Sequence, residues 1–158
     1  MNPYAAHSVF IAALSTNTDL MQQIGGRIYA IAIPLPEPEA ANAPVPYIIV
    51  SPLEANNSET NKDDTFEGQY DDISIEIEFC AKTKEQLVAI AWDIRKTILK
   101  YFMEDVDDDR KDIEYNRPSS TTPMYDDMKP CYWQKFTYQC QVKNDLYEND
   151  EELENQAN

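Results

Sequence analysis

YDDISIEIEFCAKTKEQLVAIAWDIRKTIL, residues 70–99, holds the change of period that decides the fold. Ile73, Ile75, Ile77 and Phe79 alternate with Ser74, Glu76, Glu78 and Cys80. Strict alternation of this kind predicts a strand with one buried face and one wet, acidic face. The period then lengthens. Leu87, Ile90, Ala91, Ile94, Ile98 and Tyr101 recur at helical spacing and predict a helix from Thr83 to about Met103 lying on the sheet. Thr83 and Gln86 fit a capping box at its start. Val88, Trp92 and Leu99 make the apolar stripe wider than one contact needs. Either a neighbouring subunit or ordinary core packing accounts for that width.

Working back towards the N-terminus, residues 3–14 read as a short helix, with Val9, Phe10, Ala13 and Leu14 at helical spacing. STNTD interrupts it. A second short helix follows, with Asn17 or Thr18 as N-cap and Leu20, Met21 and Ile24 on its apolar side. Gly25 and Gly26 stand just past it, where a left-handed residue closes a helix. A strand is expected over residues 27–33 and another over residues 47–50, which Pro52 should limit. Between them Pro34, Pro36, Pro38, Pro44 and Pro46 hold the connection extended. Residues 54–68 read as a long polar loop, of a length more often functional or disordered than plain.

Beyond the main helix, EDVDDDRKD breaks the pattern, IEYN allows a short strand, and RPSSTTPMYDDMKP reads as loop. The last strand spans residues 131–143, with Tyr132, Phe136, Tyr138, Cys140 and Val142 on one side. The expected order is α-α-β-β-β-α-(β)-β. That is an α+β domain with an antiparallel sheet of about four strands and helices on one face. One domain over residues 1–143 and an acidic tail over residues 144–158, flexible in isolation, complete the expectation.

Charge restricts function. The chain has 158 residues and a net charge of −16. Asp145, Glu148, Asp150, Glu151, Glu152 and Glu154 supply part of it, yet the body is acidic without them. Such a field repels phosphate and argues against nucleic-acid binding by charge neutralisation. It leaves room for a surface that DNA slides past. No stretch reaches the roughly 20 apolar residues of a membrane span. No basic and apolar leader stands at the N-terminus, so synthesis in a cytoplasm is expected. Cys80, Cys131 and Cys140 match neither a disulfide framework nor a zinc pattern, and read as buried thiols.

No catalytic constellation emerges, so neither an enzyme nor a cofactor is expected. His7 is the single histidine and lacks a partner at a suitable spacing, which makes it a surface or interface residue. The glycine pair follows a helix and precedes a strand, the reverse of a phosphate loop, and no GK[ST] follows it. Asp105, Asp107 and Asp109 occupy calcium-loop positions 1, 3 and 5. Position 6 is Arg110 rather than glycine, and position 12 is Asn116 rather than glutamate. A solvated acidic turn is the simpler reading, so no metal is expected. Glu76 and Glu78 are sheet neighbours, not a singled-out catalytic pair.

Gly26–Tyr29 (GRIY), Pro46–Val50 (PYIIV) and the strand-helix block at residues 73–99 follow one another in a recognisable order. The chain thereby resembles the tail completion proteins of long-tailed phages, the tail terminator (tail-to-head joining) group. These carry G-R-I-Y/F, a gap with proline, P-Y and two apolar residues, then a strand before a helix rich in Ala and Ile. The resemblance spans most of residues 5–143. Each motif alone is weak, and their order carries the likeness. It implies a small α+β subunit of a hexameric ring on the head-proximal end of the tail tube. Such a ring ends tube polymerisation and contacts the tail-tube protein and a neck or stopper protein. DNA passes through its lumen without specific binding. The resemblance places the protein in the virion, at the tail-neck junction, after assembly in the host cytoplasm. The acidic tail and the turn at residues 105–112 depart from shorter members. Rival readings are a neck stopper or adaptor, a minor tail component, and a soluble acidic binding module. The expected contact elements are the proline connector (Pro34, Pro36, Pro38, Pro44, Pro46), the long loop with Phe66 and Tyr70, and Trp92 on the wide helix. Phe66 and Tyr70 equally fit plain packing where the strand begins.

Overall fold

The computed structural model describes residues 1–36, 39–57 and 69–146. Helices α1 (Ala6–Ser15) and α2 (Thr18–Gln23) come first, then strand β1 (Ile28–Ala30). Strands β2 (Tyr47–Asn57) and β3 (Tyr70–Ala81) precede α3 (Lys84–Met103). Four strands follow: β4 (Ile113–Tyr115), β5 (Ser119–Ser120), β6 (Met124–Asp126) and β7 (Cys131–Lys143). The class is α+β, as the periodicities imply. The sheet is larger than four strands, because RPSSTTPMYDDMKP is not all loop: β5 and β6 form within it. Segments β4, β5 and β6 pair in turn along the free edge of β7, with Ile113 opposite Val142, Ser119 opposite Thr137 and Met124 opposite Trp133. Their local sequence is weakly strand-like, and the unpaired ladder of β7 is what organises them.

The antiparallel expectation also needs correcting at one edge. The sheet runs β1-β2-β3-β7-β4, and β1 pairs with β2 in parallel, Ile28 opposite Ile48 and Ala30 opposite Val50. Parallel neighbours need a long crossover, and the proline connector supplies it. Strand β1 stops at Ala30 rather than Ile33. Strand β2 continues past Pro52 to Asn57, so part of the expected loop is ladder, with a bulge between Pro52 and Ala55. Pro52 lies beyond the reach of β1 and beside the bulge. A free edge and a bulge are the two settings in which a strand tolerates proline.

Local signals account for the helices. Asn17 caps α2, its Oδ1 accepting from the Leu20 amide at 3.0 Å. Gly25 and Gly26 take φ values of 61° and 69°, and the Gly26 amide reaches back to the Met21 carbonyl at 2.8 Å. This is the closing geometry in which glycine costs least. Thr83 caps α3 through the Gln86 amide at 3.1 Å, but the Gln86 side chain accepts from Lys82 rather than completing the box on Thr83.

The core lies between the helices and one face of the sheet. Ile73, Ile75, Ile77 and Phe79 of β3 and Phe136, Tyr138, Cys140 and Val142 of β7 are buried there against Phe10, Leu14, Leu87, Ile90, Ile94 and Ile98. All three cysteines are buried and free. Burial pushes the Cys80 and Cys140 thiols up to about 12, which makes them poor nucleophiles. Asn144 is buried too. Its amide donates to the Gln69 carbonyl and its side chain to Asp71 Oδ2, both at 2.8 Å. The tail beyond Leu146 lies outside the described residues.

Candidate assembly interface

The connector begins with an unusual residue. Ile31 has φ 69°, its amide donates to the Val50 carbonyl at 2.9 Å, and Ala32 closes a three-residue γ-turn onto Ala30 at 2.7 Å. A β-branched residue in the left-handed region is strained. Here the strain holds a large apolar side chain outward, 62% exposed. Pro34, Leu35 and Pro36 follow, all exposed.

The chain then returns towards the sheet. Ile33 and Val45 pack with Tyr29, Ile49 and Trp133 around buried Tyr47, Cys80 and Cys131, on the face of the sheet opposite the helices. Arg27 Nε donates to the Pro46 carbonyl at 2.9 Å and ties the two ends of the connector together. Pro44 is exposed, whereas Pro46 is buried and presents no surface. Pro38 lies outside the described residues, as does Phe66.

The outer side of α3 is the second surface. Val88, Trp92, Leu99 and Met103 are all exposed, Trp92 by 59%. Beside them, Val88, Ala91, Trp92 and Arg95 form one wall of an open groove of about 350 Å³. Pro118, Ser120 and Pro123, which flank and belong to the β5 segment, form the other. A run of exposed apolar side chains in so polar a chain is a candidate contact surface. The wide stripe was legible in the periodicity. The groove was not, because its second wall comes from a segment far away in sequence.

Tyr70 is exposed at the start of β3, at the far end of the β2–β3 hairpin from the connector. Trp92, Tyr70 and the connector are therefore three separate places. Met124, Tyr125 and Met128 form a further exposed apolar group that sequence reading missed. They surround the β6–β7 turn, and no periodicity marks so short a segment.

The helix-free face of the sheet is only half wet, contrary to the alternating pattern. Lys135 Nζ lies 3.3 Å from Glu76 Oε1, and Ser74 donates to Gln139 at 2.7 Å. Burial raises the Glu78 pKa despite the pull of Lys135. Neighbouring strands β2 and β7, with the connector over one end, withdraw water from this face.

The acidic turn is organised by a cation of its own. The Arg110 guanidinium bonds Asp108 at 2.8 Å and Glu104 at 3.0 Å, and stacks 3.9 Å over the Tyr101 ring. These hydrogen bonds hold the Asp108 carboxyl below its usual range. Among the described residues, no group of three or more His, Cys, Asp or Glu side chains is placed to hold a metal. His7 sits half-buried on α1.

No protein-family profile matches the chain, and no curated protein sequence is similar to it. Solved structures do share its fold. The gp17 protein of bacteriophage SPP1 aligns with a TM-score of 0.53 at 11% identity, covering 89% of this chain and 90% of its own. A chain from the virion of the native gene transfer agent particle aligns with a TM-score of 0.50 at 13% identity, covering 91% of this chain and 100% of its own. The fold is thus one used in a phage protein and in a gene transfer agent particle.

Proposed function

We propose that the protein is a structural component of a phage-type virion. In this reading it caps the head-proximal end of the tail tube as a ring, ends tube polymerisation and joins the tail to the neck. The observation that carries the reading is the likeness of the fold, over about nine-tenths of the chain, to a phage protein and to a chain of a gene transfer agent virion. The ordered motifs GRIY and PYIIV and the strand-helix block at residues 73–99 point the same way.

The surfaces suit the role. A monomer working alone has no use for a strained, exposed Ile31 or for the open stripe of Val88, Trp92 and Leu99. A ring subunit must bury two lateral surfaces and so needs both. In this reading an acidic lumen, in keeping with the net charge of −16, lets DNA cross without adhering.

The test is light scattering with negative-stain imaging of the purified chain, alone and mixed with its tail-tube protein. A six-membered ring at the tube terminus is expected. A species that stays monomeric in both settings would sink the proposal and favour a soluble acidic binding module. A larger ring, or one seated at the portal, would instead indicate a neck adaptor.

A further inference from the structure

Resting on the ring reading, we infer how neighbouring subunits join: the connector of one copy, residues 31–36, docks in the α3 groove of the next. The two surfaces cannot meet within one chain. Ile31 sits beside β2 at the β1 edge, whereas the groove opens at the β5 edge. Four strand spacings, about 19 Å, separate those edges. A contact between unlike surfaces at opposite edges is heterologous, and repetition of it closes a ring when the rotation allows.

The chemistry of the two sides matches. The connector offers Ile31, Pro34, Leu35 and Pro36, with Leu35 48% exposed. Proline-fixed segments lose little entropy on docking and favour grooves lined by aromatic and apolar side chains. The groove supplies Trp92, Val88, Pro118 and Pro123. The charge of the flanking sequence favours the same pairing. Residues 28–46 contain Glu37 and Glu39 and no basic side chain. Helix α3 runs against the charge of the chain, with Lys84, Arg95, Lys96 and Lys100 against Glu85 and Asp93. Arg95 lines the groove itself and makes no ion pair with a described residue. An acidic, proline-rich segment fits there. A second copy of this chain carries one.

The strain at Ile31 acquires a reason in this arrangement. A relaxed backbone would continue the strand and turn the side chain back towards the sheet. The γ-turn keeps it presented before a partner arrives, so less ordering remains to be done on binding.

The experiment uses full-length Leu35→Glu and Trp92→Glu variants, both at exposed positions, with circular dichroism to confirm that each is folded. Each variant alone should need about thirtyfold more protein to assemble, or fail to, as expected for a lost hot spot. Mixed in equal amounts they should stop at dimers. One Trp92→Glu connector then meets one Leu35→Glu groove, and no second intact joint exists. A Leu35→Cys, Val88→Cys double variant should give a ladder of disulfide-linked multimers on mild oxidation, and neither single variant should. Wild-type rings together with unimpaired rings of either Glu variant, or with no ladder, would overturn this joint and leave the ring reading standing. A wild-type chain that stays monomeric with its tail-tube protein would overturn both.

Discussion

Asn17 joins the α1–α2 junction to α3 through a single side chain. Its Nδ2 donates to Thr97 Oγ1 on α3 at 2.9 Å, while its Oδ1 accepts from the Leu20 amide and caps α2. Thr97 is almost fully buried. Asn17→Ala therefore removes a cap and takes a partner from a buried hydroxyl. A loss of about 1–3 kcal/mol in urea unfolding is expected. Asn17→Asp keeps the cap acceptor but not the amide donor, so it should fall between the two. Equal stabilities for wild type and Asn17→Ala would show that the link carries nothing.

Phe10 is the hub of an aromatic cluster under α1. Its ring centroid lies 5.2 Å from that of Phe102 and 5.4 Å from that of Tyr138, and Tyr115 stands edge-on at 6.3 Å. The side chain is fully buried. Phe10→Ala should cost about 3–5 kcal/mol, a large share of the stability of a domain this size. Phe10→Leu should cost less, because it leaves a smaller cavity. Urea unfolding of both variants checks the order.

Glu78 gives a pH signature. Its folded pKa is raised above 4.5, chiefly by burial, with Glu76 adding to the shift and Lys135 opposing it. The folded state therefore holds this proton more tightly than the unfolded chain does. Its contribution is fully present below about pH 4.5 and is lost as pH rises through the folded pKa. Glu78→Gln removes the cost of ionisation while Lys135 keeps Glu76 as a partner. The variant should melt higher than wild type at pH 7, and the difference should vanish near pH 4. A lower melting temperature at pH 7 would mean that the Lys135 attraction outweighs desolvation.

Two positive-φ residues should respond in opposite directions. Gly26 has φ 69° and open space around it, so Gly26→Ala should lose about 1–2 kcal/mol through backbone strain alone. Ile31 has the same φ and a side chain that is mostly exposed. Ile31→Gly should unfold at the same temperature as wild type or higher, while assembly weakens. A large loss of monomer stability in Ile31→Gly would mean that its side chain serves the fold rather than a partner.

Much of this molecule is written locally. Alternation over residues 73–79, the 3.6 period over residues 87–101, the Asn17 and Thr83 caps and the glycine pair each depend on a few neighbouring residues. Each lies where those patterns put it. The α+β class follows from them, because amphipathic helices and a one-sided strand must share a core. Tertiary structure decided what depends on distant partners. The direction of β1 depends on how the connector returns over the far face of the sheet. Strands β5 and β6 exist because β7 offers an unpaired ladder. The depth of Glu78 depends on β2 and β7 standing on either side of it. The groove beside Trp92 needs Pro118 and Pro123 brought up from another part of the chain. Periodicity tells a residue which way to face, but only the folded chain tells it what it will find there.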